Sequence, residues 1–79
     1  MEIKILGTGC SNCKKLEANT KEAVKTLGIE ANITKVEDIK AIMSYGVMRT
    51  PAIVINEKVK AFGKVLAPDQ IKKLIEEEV

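Results

Sequence analysis

The chain has 79 residues, enough for one domain, and a chain of that size buries roughly 60–65% of the surface its unfolded form exposes. Its apolar content of 46% and charged content of 30% are those of an ordinary soluble globular domain. A net charge of +2, one Phe, one Tyr and no Trp leave no electrostatic case for nucleic acid or an anionic membrane, and no aromatic platform for bases. No run approaches the ~18–20 apolar residues of a membrane span, and the N-terminus lacks a signal-peptide core. The expectation is one domain over residues 1–79, a cytoplasmic monomer with neither nucleic acid nor membrane as partner.

The first element is a short strand through Ile3, Ile5 and Leu6, broken by Gly7 and Gly9. Beyond Cys13, the positions Leu16, Ala23, Val24 and Leu27 follow one face of a helix that Gly28 caps. Ile29, Ala31 and Ile33 alternate with Glu30, Asn32 and Thr34, the period of a second strand. Ile39, Ile42 and Met43 mark a short helix begun near Glu37-Asp38 and stopped by Gly46.

Ala52-Ile53-Val54-Ile55 is continuously apolar and predicts a strand covered on both faces. Asn56-Glu57 makes a tight turn into Lys58–Phe62, with Val59 and Ala61 on one side, and Gly63 ends the hairpin. Pro68 opens a last helix with Ile71, Leu74 and Ile75 inward and Glu76, Glu77 and Glu78 outward. The fold class is α/β, in the order βαβαββα: a four-stranded mixed sheet flanked by three helices. Right-handed crossovers predict the first three strands parallel, with the hairpin adding an antiparallel edge.

The chemistry lies where the first strand hands over to the first helix, at Cys10-Ser11-Asn12-Cys13. Two thiols at this spacing can close into a disulfide and reopen. As a staple the pair is weak, because closing so small a ring stabilises by only about 2 kcal/mol. Cys10 falls at the helix mouth, toward solvent, where unpaired N–H groups, the helix dipole, Lys14 and Lys15 all favour a thiolate. Cys13 falls on the inward face. Cys10 is then the nucleophile that forms a mixed disulfide, and Cys13 the thiol that resolves it. A closed zinc site needs four ligands, and with two Cys and no His it would need a dimer or carboxylates to complete it. No metal and no cofactor beyond the Cys10–Cys13 pair is expected.

The second informative segment is Tyr45-Gly46-Val47-Met48-Arg49-Thr50-Pro51, with Pro51 just before the apolar strand. A plain loop proline and a cis proline both fit that position. Taken with the cysteine pair, the segment resembles the thioredoxin superfamily, whose Tyr-Gly-Ile-Arg-Gly-Ile-Pro it matches without gaps. Gly63 matches a family glycine. The likeness spans nearly the whole chain and is closest to small, glutaredoxin-sized thioredoxin-like proteins of archaea and bacteria.

The resemblance implies a minimal thioredoxin fold and a protein disulfide oxidoreductase that reduces disulfide-containing client proteins and is itself reduced by a thioredoxin-reductase-like enzyme. It implies a cis Pro51 beside the cysteines. The Thr50 backbone would pair with an extended client segment, Met48 and Arg49 would border the same groove, and Gly9, Ser11, Asn12 and Gly63 would complete the client surface.

The match has departures. Gly9 stands where thioredoxins have Trp, and Ser11-Asn12 where they have Gly-Pro. Lys4 stands where they carry a buried Asp, so no proton relay to Cys13 is assigned. The aromatic and the acidic motif of glutaredoxins are missing, which argues against glutathione as reductant. Two alternatives remain. One is a soft-metal module of the copper-chaperone kind, although Thr8 stands where that motif has Met and the chain ends in a helical pattern. The other is a redox-sensing adaptor that binds a partner without turnover.

Overall fold

The computed structural model describes residues 1–9 and 11–78; Cys10 and Val79 lie outside the described residues. The elements run β1 (Glu2–Leu6), α1 (Ser11–Leu27), β2 (Asn32–Val36), α2 (Ile39–Ser44), β3 (Ala52–Ile55), β4 (Lys58–Phe62) and α3 (Pro68–Glu76). The order is the expected βαβαββα, and the four strands form one mixed sheet in the order β2-β1-β3-β4.

The direction of β3 differs from the crossover expectation. β1 and β2 are parallel, but β3 runs antiparallel to β1, with Leu6 opposite Ala52 and Ile3 opposite Ile55. The connection packs over the sheet instead of crossing it: Ile42 and Val47 bury themselves against Leu6, Ala52 and Val54, and the six residues of α2 span only about 9 Å. β2 ends beside Leu6 and β3 begins opposite the same residue, so the connection stays at one end of the sheet.

Two local expectations also change. The second strand starts at Asn32, so Ile29–Ala31 lead into it and Ile29 and Ala31 pack only partly against the core. In β4, Val59 and Ala61 face opposite sides of the sheet. Val59 pairs with Val54 and Ala61 with Ile53, so Lys60 is the extra residue of a β-bulge and the alternation shifts by one.

The sheet has two unlike faces. On one, α1 and α3 cover Ile3, Ile5, Ile53 and Ile55 with Leu16, Ala23, Ile71 and Ile75, all essentially inaccessible. Each such aliphatic side chain contributes about 1.5–3 kcal/mol by leaving water. Thr20 is the buried polar residue of this layer, and its hydroxyl donates to Leu16 O at 2.7 Å, so it carries no unmet hydrogen bond. Asn19 ties α1 to the loop before α3 by donating to Leu66 O at 2.8 Å. On the other face, Leu6, Ala52 and Val54 are covered only by Ile42 of α2 and by Val47, with Val36, Tyr45 and Val59 at the margin.

Helix ends and turns follow local chemistry. Asp38 caps α2 by accepting from the Lys40 N–H at 3.2 Å. At α3, Gln70 accepts from the Ala67 N–H at 3.0 Å, one half of a capping box, and Pro68 occupies the first turn. The hairpin turns on Asn56 (φ 51°) and Glu57 (φ 67°), both left-handed as a two-residue type I′ turn requires. Such a φ costs a non-glycine residue about 1–2 kcal/mol. It points the Glu57 carboxylate at Lys4 Nζ, 2.6 Å away, and at the Tyr45 hydroxyl. The last turn departs from the outward expectation at Glu78. Its side chain is covered and meets Lys60 Nζ at 2.7 Å and Lys58 Nζ at 3.3 Å.

Candidate functional site at the head of helix α1

α1 begins at Ser11, two positions beyond the turn Gly7-Thr8-Gly9, and Ser11 and Asn12 are its first, exposed residues. Its N-terminal turn therefore presents backbone N–H groups to solvent at the end of the sheet where β1 stops. Cys10, expected here as the nucleophile, lies outside the described residues. Cys13 lies on the buried face of the helix, in phase with Leu16 and Thr20.

Gly7 makes that placement possible. A Cβ on Gly7 would overlap Cys13 Sγ, sit 3.1 Å from Cys13 Cβ and lie 3.9 Å from Thr50 Cβ. The bare backbone of residue 7 thus lets the Cys13 side chain and the Thr50 segment come close to it. Gly7 also continues the β1–β2 ladder, donating to Val36 O at 3.0 Å. In the sequence, Gly7 marks only the end of the first strand. Nothing in one sequence marks a close approach between residues so far apart in the chain.

The Thr50-Pro51 segment stands opposite. Its peptide bond is cis, Pro51 is buried and Thr50 is exposed. Gly63 holds the segment from β4's end: its N–H donates to Pro51 O at 2.9 Å. It has φ +74°, and a Cβ there would press on Arg49 at 3.3 Å, so a side chain would be both strained and crowded. Arg49 and Met48 are exposed, Met48 to 85%. Gly9 sits at the near rim, where a Cβ would lie 3.5 Å from Glu37 Oε2.

A groove of about 280 Å³ runs along this end of the molecule, lined by Thr8, Ile39, Met43, Met48 and Thr50 over the buried Ile42 and Val47. Ile39 and Met43 are each 61% exposed, an unusual outlay of apolar surface for a domain this small. These two residues were legible as helix formers but not as lining. The signal was present in a helix too short to bury all three of its large apolar side chains.

Lys4, on the thinly covered face, donates to the Tyr45 hydroxyl at 2.8 Å and pairs with Glu57. The Glu57 carboxylate and the Tyr45 hydroxyl push the Lys4 ammonium's pKa up, and Lys4 in turn holds the Glu57 carboxyl below its ordinary value. Lys4 is thus engaged as a structural cation.

The family resemblance can now be tested on the whole chain. The model of the thioredoxin domain matches residues 1–76. A thioredoxin of Methanothermobacter thermautotrophicus is 40% identical over 75 residues, covering 95% of this chain and 97% of that protein. A thioredoxin of Methanocaldococcus jannaschii is 38% identical over 71 residues, covering 90% of this chain and 81% of that protein. The chain belongs to the thioredoxin family. As a thioredoxin domain it keeps the minimal set of elements: four strands, with α1 and α3 on one face and α2 on the other.

Proposed function

We propose that this thioredoxin-family protein is a dithiol reductant of protein disulfides that works through Cys10 and Cys13. Family membership makes it a thiol–disulfide oxidoreductase. The observation that carries the finer reading is Cys13, buried on α1 against the bare backbone of Gly7, which also lies close to Thr50 on the rim of an apolar groove. Cys10 attacks the client disulfide, and Cys13 then attacks Cys10 and releases the reduced client.

The exposed backbone of Thr50 pairs with an extended client segment. Ile39, Met43 and Met48 receive its apolar side chains, and Arg49, Gly9, Ser11, Asn12 and Gly63 frame them. A thioredoxin-reductase-like enzyme returns the pair to the dithiol. We assign the whole chain, 1–79, to one domain acting as a monomer. We place it in the cytoplasm, where the reducing poise keeps such a pair in its working dithiol form. Among the described residues no helix is long and apolar enough to cross a membrane.

The test is to trap intermediates. Cys13→Ser accumulates mixed disulfides with client proteins and with insulin, Cys10→Ser accumulates none, and the native protein reduces insulin faster than dithiothreitol alone. Equal behaviour of the two variants would reject the assigned roles.

A further inference from the structure

A cleft of about 310 Å³ opens behind the Gly7–Gly9 turn, walled by Cys13, Lys14, Glu17, Lys35 and Glu37. Two carboxylates line it. Glu37 is exposed, whereas the Glu17 side chain is only 15% exposed. Glu17 follows Cys13 by one helical turn, a spacing that sets side chains about 5–6 Å apart at Cβ on one face. Its carboxylate is held from β2 by Lys35 at 3.5 Å and from its own helix by Lys21 at 3.6 Å.

Ion pairs of this kind contribute only about 0–1 kcal/mol. They do not by themselves account for an acid drawn in beside a thiol. Thiol chemistry does. An ordinary cysteine titrates near pH 8.5, so at neutral pH most of it carries its proton, and only the thiolate attacks.

We propose that Glu17 is the proton acceptor for Cys13 in the resolving step, with Lys35 as its positioning residue. The proposal rests on the reading of Cys13 as resolver. The Cys13 S–H proton passes to the Glu17 carboxylate, directly or through a water, for which the cleft has ample room. The Cys13 thiolate attacks the Cys10 sulfur of the mixed disulfide. A Cys10–Cys13 bond forms and the bond from Cys10 to the client sulfur breaks. Its electron pair leaves with the client sulfur, which recovers the proton from Glu17 through solvent. Two electrons have then passed from the protein dithiol to the client disulfide. In the return half-cycle, protonated Glu17 supplies the proton to Cys13 as that sulfur leaves.

The experiment is single-turnover reaction of the reduced protein with Ellman's reagent, followed from pH 5 to 9. The first equivalent of thionitrobenzoate reports attack by Cys10, and the second reports resolution by Cys13. Glu17→Gln slows the second phase on the order of 100-fold near neutral pH, the low end of general-base effects, and slows it far more than the first. The deficit closes toward pH 9, where solvent hydroxide can take the proton of an ordinary thiol without a protein base.

Lys35→Met keeps the acid but releases it from β2, so the second phase slows severalfold while the first is unchanged. The other charged groups facing Glu17 are Lys14, Lys21 and Glu37. A second-phase profile in Glu17→Gln that superimposes on the native one overturns the proposal, as does a profile moved by Glu37→Gln instead. Absence of a first phase in the native protein overturns the functional reading itself. Lys35→Met keeps the question decidable should Glu17→Gln fold poorly.

Discussion

The two faces of the sheet are built to different ends. The face under α1 and α3 is closed: Ile3, Ile5, Leu16, Ile53, Ile55, Ile71 and Ile75 interlock with almost no access to solvent. The face under α2 is thin, with one buried residue of a six-residue helix over Leu6, Ala52 and Val54. What the thick face supplies is rigidity for α1, and with it a fixed position for Cys13. What the thin face supplies is apolar surface left uncovered at Ile39, Met43 and Met48, along the groove that ends at Thr50. On the proposed function, Cys13 on a rigid helix would serve the chemistry and the groove on the sparsely packed margin would serve recognition.

Truncation separates the faces most sharply. Ile71→Ala removes a fully buried side chain from the thick face and costs about 2–5 kcal/mol. That is a large part of the about 4–12 kcal/mol expected for a domain of 79 residues. Chemical denaturation reads it as a lowered midpoint with an unchanged slope.

Ile39→Ser combined with Met43→Ser is the opposite case. Both side chains are mostly exposed, so stability changes by no more than about 0.5 kcal/mol each. Client binding suffers instead. Partial burial of each against a client is worth about 1 kcal/mol, so KM for insulin reduction rises about 30-fold in the double variant. Destabilisation of the double variant comparable to Ile71→Ala would mean that the thin face is core after all.

The same contrast explains what could be read from the sequence. Much of the local pattern was legible: the helical phase of Cys13 and Leu16, the all-apolar β3 and the Asn56-Glu57 turn, though the alternation from Ile29 becomes strand only at Asn32. The reading failed where the outcome depends on distance across the fold. The direction of β3 goes with a connection that packs over the sheet, which a handedness rule for long crossovers does not address. The sides taken by Val59 and Ala61 depend on one inserted residue, Lys60, and no residue type announces a bulge there.

In the site, the family likeness singled out Thr50, Pro51 and Gly63, and the structure brings Gly63 and Pro51 together through one backbone hydrogen bond. Gly7 was not singled out, because its role is an absence of atoms beside Cys13. Glu17 shares the phase of Cys13 and was open to inspection. Helical phase alone does not say how deep a flank is covered, so nothing in the sequence singles it out.

Each face also carries a polar clasp, and these give the smallest and most discriminating comparison. On the thin face, Lys4 (25% exposed) joins Tyr45 and Glu57 (64% exposed). On the thick face, bulge residue Lys60 (15%) reaches Glu78 (10%) at the end of α3. The better shielded pair is the less screened by water and salt. Glu78→Gln is therefore expected to lower the melting temperature more than Glu57→Gln, and raised salt should shrink the second effect more.

The pH dependence has a definite sign. Lys60 holds the Glu78 carboxyl below its ordinary 4.5, so the clasp contributes above that pH and is lost as pH falls through the folded value. Glu78 raises Lys60 above its ordinary 10.5, so the contribution is complete below that pH and is lost as pH climbs through the folded value. The gap between native protein and Glu78→Gln should be flat across that window and close on its acid side. A Glu57→Gln loss equal to or greater than the Glu78→Gln loss would reverse the comparison. The exposed Lys4 clasp would then be the brace that keeps the thin face, and the groove built on it, in shape.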